Sequence, residues 1–397
     1  LKQNIKPDKL PDVTIKKIVP QGYGLGFLEG WTVFVPLTAG GDRVKVKVNH
    51  IKGKTIFGEI FEIIEPSKDR RKPPCVYFGQ CGGCDFQHLE YRAQLVAKLG
   101  ILEDCLKRIG KIDFAGKIEV IASPQEFGYR SRTQWQADKK SGKIGYFKRH
   151  SHEIIDVKTC PVLTDELQKT LTLWREKLQR EDFPEDKIKI EVAGAGGKVS
   201  VYSSEIIEPT EDISFSFGGN YFFYDAQSFF QGNLLLVEKL VETALKNASG
   251  KIALDLYCGV GLFTLPLASK FEKVIGVEAN RRAIEMAQRN LECARIGNVR
   301  VFAEDVSEWL AAENQISADF ILLDPPRSGT EKGTIEKVLD IRPKEISYVS
   351  CEPSVLARDL RILCERFYEI QSITALDLFP QTHHVETVVR LRQKKRT

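Results

Sequence analysis

Two periodicities divide the chain. Over residues 12–67 apolar and polar positions alternate in short runs, as in Val44-Lys45-Val46-Lys47-Val48. A period of two turns one face inward and leaves the other in solvent, the pattern of half-buried strands. Strands are predicted at 13–19, 31–36, 42–51 and 54–64. Glycine turns at Gly22-Tyr23-Gly24-Leu25-Gly26 and Gly40-Gly41 separate them. About five short strands in this length give a small barrel of the OB type, a common oligonucleotide platform. The run 67–74, Ser-Lys-Asp-Arg-Arg-Lys-Pro-Pro, reads as a charged, proline-bearing linker. Helices are predicted at 91–108 and 164–178, among mixed strands over 118–217. From about residue 236 helical stretches alternate with apolar strands at 252–257, 274–278, 299–303, 320–324 and 346–351. Such alternation builds βαβ units and a parallel sheet. The expected architecture is multidomain: a β-barrel over 1–68, a central α+β region over 69–222, and a C-terminal α/β Rossmann-like domain over 223–397.

Composition narrows the class. The 397 residues are 42% hydrophobic and 28% charged, as in soluble globular proteins that bury real cores. No apolar stretch has the length that spans a bilayer, and the first residues are polar and charged rather than a signal core. A cytoplasmic protein is expected. The net charge of +4 is uneven: residues 1–72 hold 14 Lys+Arg against 8 Asp+Glu, leaving the remainder slightly acidic. A basic front on a near-neutral body suits an anionic partner docking at one end.

Candidate chemistry gathers at the predicted strand ends of the C-terminal half, the edge where open α/β sheets bind ligands. Asp255-Leu256-Tyr257-Cys258-Gly259-Val260-Gly261 is a strand end, a glycine turn and a helix start. Glu278 ends the next strand, where a carboxylate can accept both hydroxyls of a ribose. Asp305 ends the third, as a weaker candidate beside an adenine. The turn lacks a third glycine for a pyrophosphate, and no Walker lysine follows. That favours a nucleoside without phosphates, such as S-adenosylmethionine, over NAD or ATP. Asp324-Pro325-Pro326-Arg327 ends the fourth strand with a rigid ledge. Cys351, before Glu352-Pro353, ends the fifth and is the candidate nucleophile.

The nine cysteines are an odd number, which argues against a secreted disulfide framework. Cys75, Cys81 and Cys84 fall within ten residues, and Cys160, followed by Pro161, is a fourth candidate. Four thiolates suit tetrahedral zinc or an iron–sulfur cluster. The three-plus-one spacing favours a four-iron cluster over zinc. Cys105, Cys293 and Cys364 lie on helical stretches and are expected to pack. Nothing marks Cys258 as a nucleophile.

Together these motifs resemble the RNA 5-methyluridine methyltransferases over nearly the whole chain. The front resembles a TRAM domain. The resemblance implies that Cys75, Cys81, Cys84 and Cys160 hold a [4Fe–4S] centre. It implies cofactor contacts from Gln231 in Ser228-Phe229-Phe230-Gln231-Gly232-Asn233, and from Tyr257, Glu278 and Asp324. Leu262 stands where some members carry a polar residue and is not a predicted ligand. Ser350-Cys351-Glu352-Pro353 matches the nucleophile motif. Thr382-His383-His384-Val385-Glu386-Thr387 matches the segment whose glutamate is the general base.

The implied reaction transfers a methyl group from S-adenosylmethionine to C5 of a uridine. Cys351 adds to C6, activated by a lowered pKa or by proton transfer as the base binds. Glu386 removes the C5 proton, with His383 and His384 as alternatives. The target base leaves its stack, and the basic front domain holds flanking RNA, stacking on Tyr23 or Phe27. Members with both the TRAM-like domain and the four cysteines commonly act on large ribosomal RNA, so 23S ribosomal RNA is the expected substrate, with transfer RNA as the alternative. An inactive, cluster-stapled RNA-binding protein is the competing reading. A monomer is expected.

Overall fold

A computed structural model describes residues 10–180, 185–205, 210–313 and 316–395. The first nine residues of the predicted front domain therefore lie outside the described residues. The chain forms two compact units. One comprises Leu1–Cys105, Phe147–Glu153 and Phe379–His384, the other Leu106–Tyr146, Ile154–Leu378 and Val385–Thr397.

The first unit holds a closed barrel of strands β1 (Asp12–Val19), β2 (Tyr23–Leu28), β3 (Trp31–Pro36), β4 (Arg43–Lys52) and β5 (Thr55–Glu65), hydrogen-bonded in the order β1-β2-β3-β5-β4. Inward positions Val13, Ile15, Val33, Val35, Val44, Val46 and Ile56 form its core. Of the glycine segment expected as a turn, Gly22 does end the turn at Pro20–Gly22, with φ of 75°, while Tyr23 onward is strand β2. Gly24 and Gly26 serve close packing rather than chain reversal. A Cβ on Gly24 would strike the Thr38 hydroxyl, and one on Gly26 would strike Val13. Gly24→Ala should therefore destabilise the barrel by about 1–3 kcal/mol, the usual cost of overpacking. The mid-point of urea unfolding followed by barrel fluorescence checks this.

The segment expected as a linker is anchored instead. Asp42, fully buried, accepts both Arg70 Nε at 2.8 Å and Arg70 Nη2 at 2.7 Å. It also accepts the Ser67 amide at 2.9 Å. A buried carboxylate needs such partners, so the exit from the barrel is fixed. Helix α1 (Tyr91–Arg108) follows as expected.

In the second unit, β6 (Glu119–Ile121) joins the large sheet described below. Next come β7 (Arg132–Asp138), β8 (Lys143–Phe147), β9 (Ile154–Asp156), α2 (Asp165–Arg180), β10 (Lys187–Ala195) and β11 (Lys198–Tyr202). They make a five-stranded sheet in the order β11-β10-β7-β8-β9. A hairpin of β12 (Ile213–Phe217) and β13 (Asn220–Tyr224) leads into α3 (Val237–Ala244). The C-terminal part alternates as the sequence predicts. Its elements are β14 (Gly250–Leu256), α4 (Thr264–Ala268), β15 (Phe271–Glu278), α5 (Arg281–Cys293), β16 (Val299–Ala303) and α6 (Val306–Ala312). They continue with β17 (Phe320–Leu323), α7 (Thr334–Ile341), β18 (Glu345–Ser350), α8 (Pro353–Arg366), β19 (Tyr368–Leu376) and β20 (Glu386–Gln393).

The eight-stranded sheet runs β16-β15-β14-β17-β18-β20-β19-β6. It is mixed rather than wholly parallel, because β20 lies antiparallel to both β18 and β19. That reversal has a functional consequence. The first residue of β20 reaches the edge where β18 ends. Ser350 pairs with Thr387, so one step further brings Cys351 opposite Glu386.

Among the described residues no helix is long and apolar enough to cross a membrane.

Candidate active site

The second unit carries the site on one edge of its large sheet. After β14 the chain turns sharply. Tyr257 takes a left-handed backbone conformation with φ of 67°, unusual for a side-chain-bearing residue. The amides of Tyr257 and Cys258 both donate to the Val277 carbonyl, at 2.9 and 3.0 Å. That pins the turn to β15. Gly259 and Gly261 also have positive φ, 53° and 89°, which glycine adopts without steric cost. Among the described residues nothing lies within 4 Å of where a Cβ on Gly259 would stand. The turn thus leaves an open cradle.

Glu278 borders the cradle. Its Oε2 accepts the Gly259 amide at 3.2 Å and its Oε1 the Asn280 amide at 2.8 Å. Asp255 is fully buried and accepts the Thr264 hydroxyl. Burial is the main cause that raises its carboxyl to about 7, and Glu278 adds to it. Asp255 Oδ1 and Gln231 Oε1 are buried and find no hydrogen-bond partner among the described residues. Buried acceptors left without a partner fit a polar, cationic ligand.

Gln231 sits in a loop that its neighbours hold rigid. Arg132 donates to the carbonyls of Asp225, Ala226 and Ser228, at 3.2, 2.8 and 2.6 Å. Phe230 stacks on Tyr224 at 4.3 Å. Asn233 caps the following turn through Leu235 N and donates to Ser123 Oγ at 3.1 Å.

The acid-Pro-Pro ledge follows β17. Asp324 is pushed well above the ordinary carboxylate range by burial, then by Glu386, Asp255 and Glu278. Glu386, 3% exposed, is raised by burial to about 8, with Arg327 pulling the other way. Cys351 is half-buried. Burial, followed by Glu386, raises its thiol to about 12, while Arg327 opposes them and Asp324 adds a smaller upward push. The expected lowered thiol pKa is thus not what the resting site provides, because desolvation and two nearby carboxyls outweigh one guanidinium.

Asp305 proves to be a helix cap. Its Oδ1 accepts the amides of Ser307 and Glu308 and the Ser307 hydroxyl at the start of α6. Cys258 is buried under Gly276, whose Cβ would stand 3.0 Å from its sulfur, so it is a packing residue of the turn. Cys293, expected to pack, is exposed at the end of α5.

Three residues escaped the sequence reading. Arg327 acts on both Cys351 and Glu386, and its place directly after Asp324-Pro325-Pro326 was the available signal. Glu331 accepts the Tyr257 hydroxyl. Asp359, nearly fully buried, takes the Tyr348 hydroxyl at 2.7 Å and the Thr330 hydroxyl at 3.1 Å. Glu331 and Asp359 thereby tie the loop after the ledge to the turn that follows β14 and to β18, which Cys351 follows. No sequence pattern announces either contact.

In the first unit, Cys75, Cys81 and Cys84 share one loop. The Gly82 amide donates to the Phe147 carbonyl at 3.0 Å, and the Arg149 amide to the Gln80 carbonyl at 2.8 Å. Arg149 also reaches the Cys84 carbonyl at 2.7 Å and Asp85 at 2.9 Å. The Gly83 amide points at Cys81 Sγ, 3.4 Å away. His383, expected as an alternative base, pairs through Nδ1 with Asp85 at 2.6 Å. Burial pushes Asp85 up, but His383 and Arg149 outweigh it and hold the carboxyl at about 2. Cys160 belongs to the second unit. Among the described residues no group of three or more His, Cys, Asp or Glu side chains is arranged to hold a metal ion.

Comparison with known proteins agrees with this geometry. Residues 162–394 match the tRNA (Uracil-5-)-methyltransferase family. An uncharacterized RNA methyltransferase of Synechocystis sp. is 31% identical, over 96% of this chain and 95% of that protein. One from Clostridium acetobutylicum is also 31% identical, over 98% of each. The crystal structure of Pyrococcus abyssi tRNA (uracil-54, C5)-methyltransferase in complex with S-adenosyl-L-homocysteine superposes with a TM-score of 0.74. It is 26% identical, covering 96% of this chain and 99% of that one. The chain is therefore an S-adenosylmethionine-dependent enzyme and belongs to the RNA uracil-C5 methyltransferase family.

Proposed function

We propose that the protein methylates C5 of a uridine in 23S ribosomal RNA through a covalent bond from Cys351 to C6. The carrying observation is the side-by-side placement of Cys351 and Glu386 at the ends of β18 and β20, next to Asp324. In this reading S-adenosylmethionine brings an electrophilic methyl on a cationic sulfur, held by Gln231, Tyr257, Glu278 and Asp324. A cation suits Asp324, whose carboxyl is pushed well above its ordinary range by burial and then by Glu386, Asp255 and Glu278. Cys351 gives up its proton to solvent as the uridine docks and its sulfur adds to C6, making an enolate whose C5 takes the methyl from the sulfonium and releases S-adenosylhomocysteine. Glu386 then removes the C5 proton, the S–C6 bond breaks, and 5-methyluridine leaves with the thiolate restored.

Transfer RNA is the second reading, favoured by the likeness to the P. abyssi enzyme over nearly the whole chain. Mapping 5-methyluridine in ribosomal and transfer RNA from cells with and without the gene tests both. Loss of one ribosomal 5-methyluridine supports the first, and loss confined to transfer RNA supports the second. Unchanged 5-methyluridine in both overturns the activity.

The same reading assigns Cys75, Cys81, Cys84 and Cys160 to a [4Fe–4S] centre. In its favour are three thiols in one glycine-turned loop and an amide aimed at the Cys81 sulfur, the contact that stabilises a bound thiolate. Protein purified without oxygen should carry about four irons and a broad visible absorption band. Cys81→Ser and Cys160→Ser should each lose both. Stoichiometric zinc in place of iron would overturn the cluster.

A further inference from the structure

The barrel carries an aromatic row that methyl transfer leaves unused. Val33, Val35 and Ile56 point into the barrel core and are fully buried. Their chain neighbours Phe34 and Phe57 point the other way, as successive strand residues must. Phe34 pairs with Phe57 across β3 and β5, and Phe57 pairs with His50 across β5 and β4. The Phe34 and Phe57 rings stack at 5.4 Å, and Phe57 and His50 at 4.5 Å with planes only 9° apart. Tyr23 meets Phe34 edge-on at 6.5 Å. Four rings from four strands thus form a continuous ladder, ending on the exposed imidazole of His50.

The ladder opens into a groove of about 590 Å3 lined by Tyr23, Asn49, His50 and Phe57 together with Lys148 and Arg149. That volume falls in the range of small-molecule sites, roughly 300–1,000 Å3. Flat π-faces, an amide and cations in one groove are the chemistry that binds unpaired nucleotides. Arg149 Nε is buried there without a hydrogen-bond partner among the described residues.

We propose that this groove binds one unstacked nucleotide of the substrate RNA, distinct from the target uridine, with its base on His50 and its phosphate toward Lys148. The inference rests on the RNA methyltransferase reading and adds a second single-strand contact to it. Tyr23 belongs to this contact. Phe27, though exposed, is not among the residues lining the groove.

The test uses the full chain and a fluorescein-labelled, mixed-sequence RNA of about twelve nucleotides, single-stranded or annealed to its complement. His50→Ala should weaken single-strand binding roughly 5- to 100-fold, the cost of one lost base stack. His50→Phe should restore it, and the duplex should bind both variants like wild type. Lys148→Ala should lower the slope of log affinity against log salt by about 0.7, the value for one phosphate contact on a single strand. His50→Ala should leave that slope unchanged. Equal single-strand affinity in wild type and His50→Ala, or an equal loss with duplex, overturns the proposal. Wild-type 5-methyluridine formation, measured in parallel, separates the two ideas. If it is present while His50→Ala binds normally, only the groove fails. If it is absent while His50→Ala binds weakly, the groove stands without the proposed activity.

Discussion

Cys351→Ala should abolish uridine methylation, by about 10⁴-fold or more, while S-adenosylmethionine still binds with wild-type affinity. The size of the effect follows from the substrate. Uridine C5 is a poor nucleophile until sulfur adds at C6, so without the thiol no lower-barrier route remains. The orphaned acceptors at Gln231 and Asp255 and the cradle at Gly259 do not depend on Cys351, so cofactor binding should survive. Methyl incorporation into RNA and calorimetric cofactor binding separate the two. The resting thiol, raised to about 12, should also be a neutral, slowly alkylated group at pH 7.5. Activation must then come with substrate, through closer engagement of Arg327 or proton transfer as the uridine docks. Fast iodoacetamide modification of Cys351 in the free protein at that pH would contradict this, and normal turnover of Cys351→Ala would remove the covalent scheme.

The sequence made the edge of the parallel sheet legible because apolar strands, glycine turns and acids fall at regular positions there. Asp255, Glu278, Asp324 and Cys351 could be placed at strand ends from pattern alone. It misled at Gly24 and Gly26, where glycine signals close packing of β2 against Thr38 and Val13 as readily as a turn. It also misread the charged run after the barrel, since a buried partner such as Asp42 for Arg70 is invisible in one dimension. The strand β19 and the antiparallel placement of β20 were not legible. Yet that reversal is what brings Glu386 to Cys351, and until then only the motif match implied their partnership. The electrostatics were the least accessible part. A thiol in a nucleophile motif suggests a lowered pKa, but the balance between burial, Glu386 and Arg327 exists only once the sheet is assembled.

Glu386→Gln should stop the reaction one step later and leave its intermediate on the protein. Cys351 remains, so addition to C6 and methyl transfer can proceed. Removal of the C5 proton cannot, because an amide is no base, and turnover should fall about 10²- to 10⁴-fold. A denaturing gel should then show RNA covalently attached to Glu386→Gln protein, and none on the Cys351→Ala/Glu386→Gln double variant. The same substitution should stabilise the fold in a pH-dependent way. Glu386 is raised by burial from its ordinary value of 4.5 to about 8 in the native state. The folded protein therefore holds a proton that the unfolded chain releases between those pH values. Stability from this group is complete below 4.5 and is lost as pH rises through 8. Glutamine stays neutral at every pH in that window, so the melting temperature of Glu386→Gln should exceed wild type most at pH 8 to 9 and least near pH 5. A gain of that sign means the carboxyl is kept at the site at a cost in stability, as expected of a group retained for chemistry. A Glu386→Gln protein that turned over at the wild-type rate, with no adduct and no pH-dependent gain in melting temperature, would leave the proton at C5 without an acceptor and return Glu386 to an ordinary strand residue.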